Sequence, residues 1–280
     1  MILSSTQITF LQRLVIEKPA ERGHSAVAEY FLVHCGIGAR KGRGFVYTEK
    51  SHQQAISLLI ANDIPLTPLP AGSSRSDAIG LPSEKTGTKA PHDDSVAIKV
   101  ASGVCLLGGH PLPRPEQGVY SVLTVAQAIA VTADRLLLVE NVETFRTLER
   151  YRWLDYQGLN VVAILLGDNF FTANRVNSVI RARAEPVWAF FDFDPNGLGR
   201  ACSLLRLDRV ILPPSGWLDA ATKKAMRSDL FADQINQWRS TIERSENAEI
   251  SAAWCLLSRL EKGLPQEWMI DAPLPLSTTL

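Results

Sequence analysis

The chain has 280 residues and a mass of 30.8 kDa; 46% of its residues are hydrophobic, 21% are charged, and the formal net charge is zero. This composition excludes a disordered or fibrous chain and suits one large domain or two smaller ones. No apolar run approaches the roughly 20 residues that span a bilayer, so we expect a cytoplasmic protein without membrane contact. Because the net charge is zero, any affinity for nucleic acid must come from local basic patches.

Residues 1–69 open the chain with three short helical stretches and one basic turn. A capped start at Ser4 to Thr6 leads into the first helix, ITFLQRLVIEK. The other two are HSAVAEYFLVHC and SHQQAISLLIAND, and the turn GARKGRGFVYTE precedes the third. This arrangement resembles a winged-helix domain of the α+β class. Arg40, Lys41 and Arg43 in the turn are candidates for contacts to DNA phosphates, and the alternative interpretation is a solvated basic loop.

The next two segments separate the halves of the chain. Residues 70–95 are rich in Pro, Gly, Ser and Thr and poor in large apolar side chains, so they cannot bury enough surface to offset the entropy of ordering. We expect a flexible linker there. Residues 96–133 are predicted to connect the halves, with a strand pair in SVAIKVASGVCLLGG and a short helix in LTVAQAIAVTA that Thr124 caps.

Residues 134–280 alternate between strands and helices. Apolar strands are predicted at 135–140, 161–168, 187–194 and 208–214, and helical stretches lie between them and after the last one. Unbroken apolar strands separated by helices indicate a parallel sheet with helices on both faces, which is the α/β class.

The predicted strands end in acids. Glu140 ends the first strand, and Asp192 and Asp194 end the third, so the three carboxylates are expected at the edge of the sheet where ligands bind. Side chains alternate along a strand, so residues 192 and 194 point to the same side. Three carboxylates so close repel one another, and a hard divalent cation bound through oxygen removes that cost. A metal site is the simplest prediction, although a surface salt bridge remains an alternative for Glu140 alone.

The residues after these acids suggest a phosphate pocket. Pro195 ends the strand, Gly197 and Gly199 allow a tight turn, and the amides at the start of the next helix are expected to bind phosphate oxygens. Arg200 is a candidate for a further phosphate contact, with a solvated or structural role as the alternative. Asp168 and Asn169 are predicted to be turn residues that cap the following helix.

The cysteines suggest no further site. Cys35, Cys105, Cys202 and Cys255 form no C-x-x-C pair, and no histidine lies at ligand spacing from any of them. Neither a zinc site nor a disulfide framework is therefore indicated. Buried free thiols are the simpler interpretation.

The motifs of residues 120–270 together resemble a Toprim domain. The segments that show this resemblance are LLLVENVETF with Glu140, then GDNF, then FFDFDPNG with Asp192 and Asp194. The DxDPxG form is similar to the A subunit of topoisomerase VI and its meiotic double-strand-break relatives. The block of Glu140, Asn141 and Phe145 is similar to the JetD and MksG family, the nuclease subunits of Wadjet-type SMC plasmid-defence systems. GLPQEWM (263–269) is similar to a degenerate form of that family's late Gln-Glu motif.

This resemblance implies a homodimeric DNA endonuclease that depends on Mg²⁺ or Mn²⁺. Glu140, Asp192 and Asp194 would be its metal-binding catalytic acids, with Glu140 also a candidate general acid or base. The winged-helix-like domain would help hold duplex DNA. The implied partner is an SMC–kleisin type complex whose ATPase selects circular plasmid DNA.

Three alternatives remain at the level of sequence. A topoisomerase of this class needs a tyrosine in an Arg-x-x-Tyr-Tyr-like segment, which the chain lacks, so Tyr30 or Tyr47 would have to act unrecognised. A haloacid-dehalogenase-type phosphatase would also use DxD, but it places that motif after its first strand. A non-catalytic DNA-bridging subunit would use the acids only to hold a structural ion.

Overall fold

The computed structural model describes residues 3–70, 73, 93–167 and 171–274. The chain divides into two compact units, Met1–Pro91 and His92–Leu280. Most of the predicted linker 70–95 lies outside the described residues, as do Asp168 and Asn169 with their predicted turn.

The first unit is built from three helices and a small antiparallel sheet. Its elements are α1 (Ser5–Glu17), β1 (Glu21–Gly23), α2 (Ala26–Cys35), β2 (Ala39–Lys41), β3 (Gly44–Val46) and α3 (Glu49–Ile60). The sheet has the order β1-β3-β2, and β2 and β3 form the predicted basic hairpin. The predicted cap at Ser4 is confirmed, because its side chain accepts a hydrogen bond from the Gln7 backbone. A compact apolar cluster holds the unit together: Ile8, Leu11, Leu14, Phe31, Phe45 and Leu59.

The second unit contains nine strands in its described residues. They are β4 (Ser95–Ser102), β5 (Leu106–Leu107), β6 (His110–Pro111), β7 (Ser121–Thr124), β8 (Val131–Thr132), β9 (Arg135–Val139), β10 (Val161–Leu165), β11 (Val187–Phe190) and β12 (Leu207–Val210). Six of them form the central sheet, in the order β12-β11-β9-β10-β4-β7, and β6-β5-β8 form a small separate sheet. Residues 96–133 therefore contribute two strands, β4 and β7, to the central sheet.

The helices of the second unit alternate with these strands and then close the chain. They are α4 (Val125–Ala130), α5 (Val142–Arg146), α6 (Ala173–Ala182), α7 (Pro195–Cys202), α8 (Ser215–Ala225), α9 (Asp229–Ala232), α10 (Ile235–Glu243) and α11 (Ala248–Leu260), with 3₁₀ turns at Leu148–Arg150 and Gln266–Met269. Thr124 caps α4 as predicted, with its hydroxyl accepting from the Gln127 backbone. In the part of the chain that the structure describes, no helix has the length and apolar character needed to cross a membrane.

The α/β class is confirmed, but the sheet is mixed. β9, β10, β11 and β12 are parallel, whereas β4 runs antiparallel to β10 and β7 antiparallel to β4. The four strands predicted in residues 134–280 are parallel as expected, and the antiparallel strands come from the segment before them. Antiparallel neighbours need no helical crossover, so the strands that precede the regular strand–helix alternation can join the edge of the sheet.

Burial explains why three strands form the centre of this sheet. Every residue of β10 and β11 is buried, as is β9 after its first residue, which matches their unbroken apolar sequences. The buried residues of the neighbouring strand β4 are apolar except for Lys99, whose side chain is inaccessible to solvent. Its ammonium lies 2.6 Å from a carboxylate oxygen of Glu149 and donates to the carbonyl of Arg146 at 2.8 Å, so the buried charge is compensated.

The strand order creates a switch point between β9 and β11. The chain leaves β9 toward β10 on one side, and it leaves β11 toward β12 on the other side. When two adjacent parallel strands send their connections in opposite directions, a crevice opens at their carboxyl ends. That crevice is where the sequence places its acids.

The cysteines are all free, and they differ in burial. Cys105 is buried, Cys35 and Cys202 are half-buried, and Cys255 is exposed. Burial raises the pKa of the Cys105 thiol to about 11. The prediction of buried thiols is therefore correct for Cys105 and wrong for Cys255, which lies on the outer side of α11.

Candidate active site

The three predicted acids lie at the carboxyl ends of β9 and β11. Glu140 directly follows β9, and its backbone N–H donates to the carbonyl of Phe190 at 3.3 Å. Its Oε2 in turn accepts from the backbone N–H of Asp192 at 3.4 Å, although the two residues are 52 positions apart. The structure thus brings Glu140 and the Asp-x-Asp segment together at the switch point, as the strand pattern predicts.

The two aspartates lie beyond β11 rather than inside it, because this strand ends at Phe190. The predicted strand 187–194 is therefore too long. The chain after Phe190 forms a single antiparallel bridge instead, in which Phe193 and Leu264 exchange two backbone hydrogen bonds of 2.9 Å. Phe193 is fully buried between the two acids, so the C-terminal segment fixes the backbone that carries them.

Asp192 is a half-buried acid with a raised pKa. Burial is the main cause, and the negative charges of Glu140, Asp194 and Glu267 add to it, so that the pKa rises from 3.8 to about 7. A hydrogen bond from the Gln266 backbone N–H to Oδ1, at 2.7 Å, opposes this rise. Asp192 is therefore poised to change protonation near neutral pH in the metal-free protein.

Asp194 begins the helix α7. Its Oδ1 accepts from the Gly197 backbone N–H at 2.7 Å, and its Oδ2 accepts from the side-chain amide of Gln234 at 3.0 Å. The residue is only 3% exposed, and burial raises its pKa while these hydrogen bonds act in the opposite direction. The carboxylate is held in one place by a helix start and by the C-terminal part of the chain.

Close packing explains the glycine at position 197. A Cβ atom there would lie 2.1 Å from the backbone oxygen of Asp192, so no other residue fits without a shift of the backbone. The sequence predicts a tight turn at this glycine, and the structure gives the reason: glycine is required here for the close approach of two chain segments.

The predicted phosphate pocket at the start of α7 is not formed by free amides. Pro195 has no N–H, the Asn196 N–H donates to Gln234 at 2.9 Å, and the Gly197 N–H donates to Asp194. The expectation that these amides bind phosphate is therefore contradicted, because side chains of the protein already accept from them.

Arg200 lies in the second turn of α7 and forms an ion pair with Glu140. About a third of its side chain is exposed, whereas the Glu140 side chain is only 16% exposed. Burial raises the pKa of Glu140, and the guanidinium of Arg200 lowers it. The residue predicted to contact phosphate is thus placed beside the acids, where it compensates one of their charges.

Several residues of the site were not assigned to it from the sequence. Gln266 is fully buried and contacts both strand ends, Gln234 contacts Asp194, and Glu267 accepts from the side chain of Asn141. The late Gln-Glu pair in GLPQEWM was a signal for Gln266 and Glu267. No sequence signal marks Gln234, because it lies in an irregular turn between α9 and α10.

The donor set fits a hard divalent cation, although the side chains are not arranged as a finished ligand shell. Within the described residues, no three His, Cys, Asp or Glu side chains are placed to hold a metal ion together. Glu140 is engaged by Arg200, and Asp194 by Gly197 and Gln234. Yet each carboxylate oxygen has two lone pairs, and the cluster places one buried and two half-buried acids beside one arginine. Carboxylate oxygens are the donor type that hard divalent cations prefer.

The three basic residues predicted to contact DNA lie on the hairpin of the first unit. Arg40 in β2 pairs with Glu29 at 2.5 Å, and Lys41 pairs with Glu21. Arg43 is exposed in the turn and has no ion pair or hydrogen bond within the described residues. Two of the three predicted DNA contacts are therefore engaged by acids, although exposed ion pairs are weak enough for a phosphate to replace them.

The two candidate tyrosines are packed in the first unit. Tyr47 is only 4% exposed, and burial raises the pKa of its hydroxyl. Tyr30 packs against the rings of Phe31 and His34, at centroid distances of 5.4 and 4.6 Å. Both side chains thus contribute to the packing of the first unit.

Fold and site together define an α/β protein with an acidic cluster at the switch point of a mixed sheet. A family model described as "Domain of unknown function (DUF7281)" matches residues 93–278. The chain belongs to this family, and the match spans the second unit with Glu140, Asp192 and Asp194. No curated protein matches the chain.

Proposed function

We propose that this protein is a DNA endonuclease that depends on Mg²⁺ or Mn²⁺ and hydrolyses phosphodiester bonds. The observation that carries this proposal is the convergence of Glu140, Asp192 and Asp194 at the carboxyl ends of β9 and β11. Largely desolvated acids without matching cations are unfavourable, so their presence at the carboxyl ends of parallel strands favours a role in binding cations.

Glu140 and Asp192 would hold the cation directly, and Asp194 would support it from the start of α7. A bound divalent ion supplies Lewis acidity and a water of lowered pKa. Burial raises the pKa of Glu140, so this carboxyl group is suited to accept or donate a proton during hydrolysis. Arg200, a third exposed, provides the cation nearest to the acids for an incoming phosphate.

The resemblance to Toprim nucleases supplies the substrate and the partners in this proposal. Four parallel strands, with a glutamate after the first and Asp-x-Asp after the third, support a Toprim fold for the second unit. A three-stranded antiparallel sheet with three helices and a basic hairpin supports a winged-helix-like fold for the first unit. The proposed protein is a homodimer that cuts duplex plasmid DNA beside an SMC–kleisin type complex in the cytoplasm.

Plasmid cleavage by the full chain tests the nuclease. With supercoiled plasmid and MnCl₂ or MgCl₂, Glu140→Gln and Asp192→Asn are each expected to lower the cleavage rate about 100-fold or more, because each removes part of several kcal/mol of charge stabilisation. The matched control is Glu243→Gln, an exposed acid at the end of α10, which is expected to cut like the wild type.

Two outcomes would contradict the proposal. Cleavage that survives both substitutions, or that continues in EDTA, would show that these acids do not carry the reaction. A wild-type protein that binds plasmid and Mn²⁺ but never cuts would favour the DNA-bridging alternative.

A further inference from the structure

We propose that Gln266 is a positioning residue, which fixes the separation between Glu140 and Asp192. The inference rests on the proposed function, since it assumes that these two acids share a cation. The structural support for it is a set of hydrogen bonds at the ends of β9 and β11. Gln266 lies in the 3₁₀ turn Gln266–Met269, well after the last strand of the sheet.

The side chain of Gln266 bridges β9 and β11 where their backbone pairing ends. It is fully buried; its Nε2 donates to the carbonyl of Phe190, and its Oε1 accepts from the backbone N–H of Asn141 at 3.0 Å. Phe190 is the last residue of β11, and Asn141 follows Glu140. The amide therefore links the ends of the two strands just beyond their last paired residues.

An amide side chain can make both of these contacts because it carries a donor and an acceptor. The carbonyl of Phe190 also accepts from the Glu140 N–H, so Gln266 supplies its second donor, whereas the Asn141 N–H donates to Gln266, and burial leaves little water to replace either contact. A neutral amide also adds no further charge beside Glu140 and Asp192, whereas a glutamate at this position would add one.

The backbone of Gln266 reaches the acid itself. Its N–H donates to Oδ1 of Asp192 at 2.7 Å, so one residue touches the strand end beside Glu140 and the carboxylate of Asp192. Gln266 is held in turn by the bridge between Leu264 and Phe193 and by the hydrogen bond from Trp153 Nε1 to the Met269 carbonyl, 2.7 Å long. The C-terminal segment is thus anchored on both sides of the glutamine.

A cation shared by two carboxylates is bound best when their separation is already set, because no ordering is then needed on binding. Loss of the Gln266 amide is expected to let the ends of β9 and β11 move independently. We therefore expect weaker binding of divalent cations, and not only a lower free energy of unfolding.

The test is a titration of the full chain with Mn²⁺ alone, followed by electron paramagnetic resonance. Gln266→Met keeps the length of the side chain, and it is expected to raise the half-saturating Mn²⁺ concentration about tenfold. The matched control is Gln12→Met, in a buried glutamine of the first unit whose amide donates to the carbonyls of Pro65 and Thr67 at 2.9 and 3.2 Å. It is expected to lower Tm without a change in Mn²⁺ binding.

An unchanged half-saturation in Gln266→Met, together with a lowered Tm, would overturn the inference and leave a purely structural glutamine. If Gln266→Met does not fold, Gln266→Asn replaces it, since this amide is one methylene too short to span both strands. The same rise in half-saturating Mn²⁺ is expected, and its absence again overturns the inference.

Plasmid cleavage, measured in parallel, separates this inference from the nuclease proposal. At saturating Mn²⁺ the Gln266→Met protein is expected to regain most of the wild-type rate. If the wild type binds Mn²⁺ but does not cut, the nuclease proposal fails, and the Mn²⁺ titration still decides the role of Gln266. If the wild type binds no Mn²⁺ at millimolar concentration, both proposals fail.

Discussion

The acidic edge of the second unit and the basic hairpin of the first unit differ in how far their charges are buried and paired. At the edge, Glu140, Asp192 and Asp194 are largely buried, and the protein provides one ion-paired arginine for three acids. On the hairpin, Arg40 and Lys41 are exposed, and each has its own glutamate. Acids gathered in a largely buried site raise one another's pKa, whereas exposed pairs are held loosely and can exchange partners.

The largest effect on stability is expected from a change in the packing that holds the acids. Gly197→Ala would place a Cβ atom 2.1 Å from the Asp192 backbone oxygen, and it is expected to lower the free energy of unfolding by about 3 kcal/mol or more. The hairpin control is Gly42→Ala, which meets no atom within 4 Å but has a φ of +57°; it is expected to cost about 1 kcal/mol. Urea denaturation measures both, and equal losses would contradict the close packing at the edge.

The cost of the buried acids can be measured in EDTA. The pKa of Asp192 is about 7 in the folded protein and near 3.8 when unfolded, so stability falls as pH rises from about 4 to 7. Asp192→Asn keeps the acceptor for the Gln266 N–H and removes the charge. It is expected to raise the free energy of unfolding by about 1–3 kcal/mol at pH 8, and by much less at pH 5. A gain that does not depend on pH would argue against charge as the cause.

The hairpin is tested by its affinity for duplex DNA. Replacing Arg40, Lys41 and Arg43 together by alanine is expected to weaken binding about tenfold and to lower the slope of log K against log salt by about 2 to 3, because each lost phosphate contact removes about 0.9. Fluorescence anisotropy across a salt series measures this. An unchanged slope would show that these residues are a solvated loop.

The smallest effect is expected from the acids that engage the hairpin. Glu21→Gln with Glu29→Gln frees Lys41 and Arg40 from their ion pairs, so DNA binding is expected to tighten a few-fold at low salt. Tm is expected to change little, since exposed ion pairs contribute at most about 1 kcal/mol. Weaker DNA binding in this double variant would mean that the glutamates orient the basic residues instead of competing for them.

Local patterns were sufficient for most elements of the fold. The capped starts at Ser4 and Thr124 and the apolar strands β9, β10 and β11 are confirmed, because capping and burial on both faces depend on neighbouring residues in the sequence. The mixed character of the sheet was not predictable in this way. The direction in which β4 joins β10 depends on a pairing between residues about 60 positions apart, which no local pattern records.

The candidate site likewise has one part that follows from local sequence and another that depends on contacts between distant segments. The position of Glu140 and the Asp-x-Asp segment at strand ends is predictable from local sequence, since an apolar run followed by an acid, proline and glycine marks the end of a buried strand. The pairing of Arg200 with Glu140, the engaged amides of α7 and the contacts of Gln234 and Gln266 with the aspartates depend on the folded arrangement. Hydrogen bonds and ion pairs between distant segments depend on where the folded chain returns: Arg200 reaches Glu140 from α7, and Gln234 and Gln266 reach the aspartates from the last 50 residues.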